Sequence, residues 1–300
     1  MSIMYITITG ELGSGKSTIA KILSQEYGFM IYSTGTIQRE IAREKGITTL
    51  ELNQLMSKDI NNIYDKIIDE KTIELSQNNI GKDIVFDSRM AWHFVEKSFK
   101  VYVTVDIYVA AKRVMMADRG KEEQYVSLEE AARSLKKRKE LEDSRFSEMY
   151  SADTTNFENY DLVIDSTLLT PNELAQFIIK SAKSGSDERR TLLSPQRLFP
   201  TQNIRDINPE YVMELKCIDD DTLIDVVKHD GFYFIVDGHN RVCAKIHKGE
   251  KLISVNVLDI DDRGYVEKYN KKIEEIIRMP ISCYYDWQEY NKINFLAYPR

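Results

Sequence analysis

Near the start of the chain, Gly10-Glu11-Leu12-Gly13-Ser14-Gly15-Lys16-Ser17-Thr18 has the residue types and spacing to hold a polyphosphate. Glycines let the backbone curl so that successive N–H groups converge on phosphate oxygens, and the positive end of a following helix adds to the attraction. In the pattern Gly-x-x-x-x-Gly-Lys-Ser, Lys16 reaches the outer phosphates and the Ser17 hydroxyl ligates Mg²⁺. Gly10, Gly13, Ser14, Gly15 and Thr18 line the rest of the cradle. The pattern needs a strand before it and a helix after it. Ile6-Thr7-Ile8-Thr9 and the helical periodicity from Ser17 to Tyr27 supply both. ATP and Mg²⁺ are therefore the expected cofactors, although such a loop serves kinases, GTPases, ATPases and motors alike.

The acceptor side decides among these classes. Phosphoryl transfer between two anions needs fixed cations, and guanidinium suits bidentate phosphate contacts. Ser33-Thr34-Gly35-Thr36-Ile37-Gln38-Arg39 follows a second apolar run, Asp87-Ser88-Arg89 ends a third, and Arg138, Glu142 and Arg145 share one face of a long helical pattern from Leu128 to Met149. For that Lys/Glu-rich helix taken alone, a salt-bridged, solvated surface is the competing reading.

Short apolar runs at Ile3 to Thr9, Phe29 to Tyr32, Ile84 to Asp87, Val101 to Val105 and Leu162 to Ile164 alternate with helical segments, as in βαβ units around a parallel sheet. The helical segments include Thr36 to Lys45, Ala110 to Ala117 and Asn172 to Ala182. The small, polar stretch from Ser181 to Arg190 reads as a linker, placing a boundary near residue 185. The chain's 300 residues accommodate two domains, and 42% hydrophobic content supports real cores. Forty-one basic against 48 acidic side chains, a net charge of −7, argues against broad nucleic-acid or anionic-membrane binding. Three widely spaced cysteines suit a reducing compartment, and no apolar run is long enough to span a membrane. The N-terminus has no signal-peptide pattern, so the expectation is a soluble, cytoplasmic protein acting on small-molecule nucleotides, with a homo-oligomer left open.

Together the loop, Ser33-Thr34-Gly35 with Arg39, Phe86-Asp87-Ser88-Arg89-Met90-Ala91-Trp92, and Arg138 through Glu142 and Arg145 to Asp153 resemble the cytidylate kinase family, particularly its shorter archaeal-type branch. The resemblance covers Ile6 to about Ile179. It implies an α/β P-loop nucleoside monophosphate kinase fold over residues 1–183 with a parallel five-stranded sheet. An acceptor region between residues 34 and 80 and a lid near 118–128 are implied with it. By the same resemblance Ser33, Thr34, Gly35, Arg39 and Arg89 hold the acceptor, and Arg138 and Arg145 bridge donor and acceptor phosphates. Glu142 touches the acceptor's ribose, Arg113 and Arg119 lie near the donor, and Asp87 stands beside the Mg²⁺ shell. Lys16, Arg89, Arg138 and Arg145 are then the catalytic set. Two positions depart from the family: Ser88 where it has glycine, and Glu11 where it has a small residue or proline.

After a linker at 184–191, Pro200-Thr201-Gln202 and then Phe234-Ile235-Val236-Asp237-Gly238-His239-Asn240-Arg241 resemble the ParB/sulfiredoxin superfamily over residues 192–262. That resemblance implies a smaller α+β domain with a nucleotide or small-ligand site formed by Thr201, Gln202, Asp237, Gly238, His239, Asn240 and Arg241, with His239 and Arg241 on phosphates. Strands at Phe232 to Val236 and Ile253 to Leu258 flank a helix from Arg241 to Lys248. A helix from Tyr265 to Arg278 and an aromatic tail, read as packing over this domain or as a subunit contact, complete residues 263–300. No helix-turn-helix follows, sulfiredoxin's cysteine position is His239, and Gln202 stands where serine-kinase members carry an acidic residue. The first reading is thus a cytidylate-kinase-like phosphotransferase with CMP or dCMP as acceptor. The alternatives are a kinase for another metabolite such as free serine, and a nucleotide-gated DNA-binding regulator.

Overall fold

Tyr5–Gly10 forms β1, buried from Ile6 onward, as befits an interior parallel strand covered on both faces. The computed structural model describes residues 3–47, 51–52, 55, 63–78, 81–117, 125–185, 188–258 and 273–299. It divides into two units. The first comprises Met1–Val105, Arg133–Ser166 and Thr170–Arg189; the second comprises Asp106–Ala132, Thr167–Leu169 and Arg190–Arg300.

In the first unit β1 lies between β3 (Ile84–Asp87) and β4 (Phe99–Thr104), with β2 (Met30–Ser33) beyond β3 and β5 (Leu162–Asp165) beyond β4. All four pairings are parallel. The helices in chain order are α1 (Lys16–Tyr27), α2 (Thr34–Glu44), α3 (Ile63–Gln77), α4 (Ala91–Phe94), α5 (Ile107–Met116), α6 (Leu128–Tyr150) and α7 (Pro171–Ser184). Of these, α5 and the first turn of α6 group with the second unit. Ile6, Ile8, Ile19, Leu23, Val85, Val101 and Ile178 are fully buried where α1 and α7 cover the sheet. Burying a side chain of that size contributes about 1.5–3 kcal/mol. This core therefore holds the strand ends, and the loops that leave them, in fixed positions.

The expected linker is shorter than its composition suggests. Thr170 and Glu173 form a capping box around Pro171, and α7 then runs through Ser181–Ser184 to a left-handed Gly185. Small polar residues do not break a helix once it is nucleated and packed, and Ser184 Oγ donates to the Ser181 carbonyl. Nor is the division a single cut near residue 185, since residues 106–132 and 167–169 group with the second unit. Helix α3 escaped the periodicity reading because only Ile68 and Thr72 on it are buried.

The second unit contains β6 (Arg190–Leu193), β7 (Leu198–Phe199), α8 (Pro209–Lys216), β8 (Ile224–His229), β9 (Phe232–Asp237), α9 (His239–His247), β10 (Ile253–Leu258), α10 (Ile273–Ile277) and α11 (Ile281–Asn291). The strand order is β6-β10-β8-β9-β7, with antiparallel β10–β6 and β8–β9 and parallel β10–β8 and β7–β9. β8 and β9 join through Asp230 and Gly231, both at positive φ (48° and 86°), as a type I′ hairpin turn requires. Most of the helix expected from Tyr265 to Arg278 falls outside the described residues, and α10 occupies its end. The aromatic tail is a helix, α11, followed by an aromatic cluster. Phe295 stacks on Phe199 at 4.3 Å, and Tyr284 meets both rings edge-on. Among the described residues, no helix is long and apolar enough to cross a membrane.

Candidate active site

β1 delivers the chain into the loop under a tight steric constraint. Gly10 has φ 136°, and a Cβ there would sit 2.1 Å from the Val103 carbonyl oxygen of β4, so only glycine fits. The next residue donates its N–H to that same oxygen at 3.0 Å. The Glu11 carboxylate then accepts from the Val105 N–H at 2.7 Å and the Thr104 hydroxyl at 3.0 Å, clamping the loop to the end of β4. This explains the charged residue at a position where a small one was expected. Gly15, left-handed at φ 92°, is the N-cap of α1; no side chain caps the helix and its first turn has no acidic residue. The helix N-terminus thus presents its N–H groups and dipole to a ligand.

Lys16 is folded onto the loop itself, donating to the carbonyls of Gly10 (3.1 Å) and Glu11 (2.6 Å) and contacting Ser14 Oγ at 3.4 Å. Burial, and then the nearby charge of Arg89, lower its pKa to about 7, while Asp87 and Glu11 oppose the shift. Ser17 and Thr18 stand exposed at the start of α1. The register pairs Ile8 with Asp87, the last residue of β3, so β1 runs two residues farther, to Gly10. Thr9 Oγ1 donates to the Arg89 carbonyl at 3.1 Å, tying the residue before the loop to the arginine beyond β3.

The Arg89 side chain ion-pairs through Nη1 with Glu142 Oε2, and Arg138 Nε donates to Glu142 Oε1 at 3.1 Å. Burial first, and Arg138 second, hold the Arg89 guanidinium below its ordinary pKa. Farther along α6, Arg145 approaches Asp65 of α3 at 3.5 Å, and the Tyr150 hydroxyl donates to Asp69 at 2.6 Å. The three helix residues expected on one face therefore divide: Arg138 and Glu142 join Arg89, whereas Arg145 turns to α3. Glu142, expected at a ribose, faces the two arginines. Ser33 caps α2 by accepting from the Thr36 N–H at 3.1 Å, with Thr34 and Gly35 in the first turn. Arg39 folds back over that turn, donating to Thr36 Oγ1 at 3.2 Å. Arg113 lies on α5, in the second unit, and Arg119 falls outside the described residues.

Two residues of this site were missed. Lys139 pairs with Asp143, which also accepts from Thr154 Oγ1 at 2.6 Å. Burial lowers the Lys139 pKa; Asp143 and Glu11 oppose that shift and Arg89 adds to it. The i,i+4 spacing of Lys139 and Asp143 on α6 was visible, but nothing in it told a cleft from a solvated surface.

In the second unit Gly238, left-handed at φ 102°, is the N-cap of α9, again without a side-chain cap. The residues around it face inward. His239 is 5% exposed, and its Nε2 accepts the Thr201 N–H at 3.0 Å; Thr201 Oγ1 donates to the Ile235 carbonyl at 2.5 Å. Through Nε2 the His239 ring braces the Thr201 segment. Arg241 is taken up by Asp237 (2.5 Å) and the Leu223 carbonyl (3.1 Å). Asn240 Oδ1 accepts the Asn208 N–H at 3.0 Å, and Gln202 is half-buried beside Thr201.

A parallel sheet whose first strand runs through a glycine-rich loop and its lysine into a helix, with an arginine pair set at the neighbouring strand, defines a P-loop kinase fold. The chain belongs to the Cytidylate kinase-like family, whose family model matches residues 5–168. It is 29% identical to a cytidylate kinase of Methanobrevibacter smithii over 60% of this chain and 99% of that one. With a cytidylate kinase of Natronomonas pharaonis it shares 34% identity over 60% of this chain and 88% of that one. An S-adenosylmethionine-dependent nucleotide dehydratase of Lacinutrix mariniflava is 35% identical over 58% of this chain, which spans only 35% of that protein's length.

Proposed function

We propose that the chain is an ATP-dependent phosphotransferase moving the γ-phosphoryl group to the phosphate of a nucleoside monophosphate, CMP or dCMP. The observation that carries this reading is the Thr9–Arg89 bond. It ties the residue before the phosphate loop to Arg89, which Glu142 holds together with Arg138, at the ends of adjacent strands. Every relative named above acts on a nucleotide by its name, which favours a nucleotide over another metabolite.

In the proposed step an oxygen of the acceptor's phosphate forms a bond to the γ-phosphorus. The bond to the β,γ-bridging oxygen breaks, and ADP leaves with the electron pair. The attacking oxygen is already anionic, so no general base is required, and catalysis rests on position and charge. Lys16 exchanges the loop carbonyls for phosphate oxygens; Arg89 and Arg138 offset the acceptor's charge. The Ser17 hydroxyl and Asp87 carboxylate suit Mg²⁺, which takes one or two protein oxygens beside phosphates and water; among the described residues no richer cluster of metal-binding side chains occurs. When bound, the ion neutralises phosphate charge.

The ParB/sulfiredoxin-like reading of residues 192–262 is also a proposal, supported by the glycine-capped start of α9 beside Thr201. Incubating the full chain with Mg-ATP and CMP, dCMP, UMP, AMP or free serine tests both readings. Phosphorylated CMP or dCMP is expected. No product from any monophosphate overturns the proposal, and phosphoserine would move catalysis toward the second unit.

A further inference from the structure

Glu142 places one carboxylate oxygen on each of two guanidinium groups, Oε2 on Arg89 and Oε1 on Arg138. A phosphate monoester presents the same pattern to a pair of arginines, two anionic oxygens on one centre with each taking an N–H donor. The contact is sheltered: the Arg89 and Glu142 side chains retain only 27% and 21% of their exposure. Two guanidinium groups this close repel one another, and an anion must stand between them. Without an acceptor, the chain provides that anion from its own α6. The remaining charges around Arg89 are Asp87 and Asp143, which favour its charged form, and Lys16 and Lys139, which share its neighbourhood.

We propose that Glu142 is a built-in stand-in for the acceptor's phosphate, and that the acceptor binds by displacing it; this rests on the nucleotide-kinase reading. Displacement selects a substrate class. A phosphomonoester dianion carries more charge than a carboxylate and can bridge both arginines, so it competes for them. A nucleoside hydroxyl carries no charge and leaves Glu142 in place, so unphosphorylated nucleosides are excluded by the closed pair rather than by poor fit of the base. Until a phosphate dianion arrives, the arginines are kept positioned and unavailable to singly charged anions.

The test is calorimetric binding of inorganic phosphate to the full chain carrying Lys16→Ala, so that the arginine pair and not the loop is read. Adding Glu142→Gln, which keeps the shape and removes the charge, is expected to tighten phosphate binding by about threefold to tenfold, and Arg89→Ala should abolish the gain. Equal or weaker binding by a Glu142→Gln chain with a native circular dichroism spectrum overturns the proposal. In protein without the Glu142 change, saturating phosphate should shift the Arg138 Nε–Hε nuclear magnetic resonance signal, and an unmoved signal counts equally against displacement. CMP turnover is measured separately on the unaltered chain. Tighter phosphate binding without turnover keeps the stand-in and overturns the kinase reading alone. Turnover with no gain in binding does the reverse.

Discussion

Among the described residues the same local device occurs twice, a left-handed glycine capping a helix just after a strand, and the two copies differ in how their surroundings are filled. A Cβ at Gly15 would meet nothing within 4 Å, whereas at Gly238 it would lie 2.8 Å from Ile224 Cδ1 and 3.1 Å from an Arg241 nitrogen. In the first turn the lysine rests on loop carbonyls, weak partners that a phosphate readily replaces. In the second the arginine holds a carboxylate and the histidine braces a neighbouring segment. A helix N-terminus is thus a generic attraction for anions. What converts it into a site is the state of the side chains around it, charged groups poised on neutral partners in one case and mutually satisfied in the other.

The largest test of this contrast is Lys16→Ala. Phosphotransfer should fall by on the order of 10²–10³ in kcat with the melting temperature little changed, because the lysine's partners are loop oxygens that water can satisfy. Gly238→Ala comes next: crowding on top of a left-handed φ should cost about 2–3 kcal/mol in denaturant unfolding, against about 1–2 for Gly15→Ala, which has room but the same strain. If Gly15→Ala were the more destabilising, the open and filled descriptions would be exchanged.

A pH series gives the third test. Lys16, buried on the loop carbonyls, has its pKa lowered to about 7, and a bound polyphosphate raises it toward its ordinary value. The bound form therefore holds more protons above neutrality. ATP affinity should be full below pH 7 and fall by up to about tenfold per unit above it, measured by titration calorimetry. The smallest effect belongs to Arg241→Ala, expected to cost about 1 kcal/mol of stability while leaving ATP affinity unchanged. A large loss of nucleotide binding in that variant would mean that the second turn opens to a ligand after all.

The first turn was legible because its chemistry is local: glycines, lysine and serine at fixed offsets between a strand and a helix admit few other uses. The βαβ order was legible for a similar reason, since buried parallel strands read as short apolar runs. What escaped was long-range. Glu11 looks like an anomaly until Val105 and Thr104 are seen to meet it, and the partition of Arg138, Glu142 and Arg145 depends on where β3 and α3 bring Arg89 and Asp65. His239 shows the converse: its type suggested ligand chemistry, and nothing in the sequence announced that its ring would also pack against Thr201 and Trp287. The β8–β9 hairpin went unread, although Asp230-Gly231 between apolar runs is a turn signal available without coordinates.

The pairing of Ile8 with Asp87 has a consequence for how this catalyst can fail. Strand register moves in whole residues of about 3.3 Å, and a single step turns every side chain to the opposite face. Donor and acceptor groups hung from two such strands cannot drift apart gradually. Their separation is quantised, so the reacting atoms are either in range or not, and selection on this sheet acts as on a notch rather than a dial.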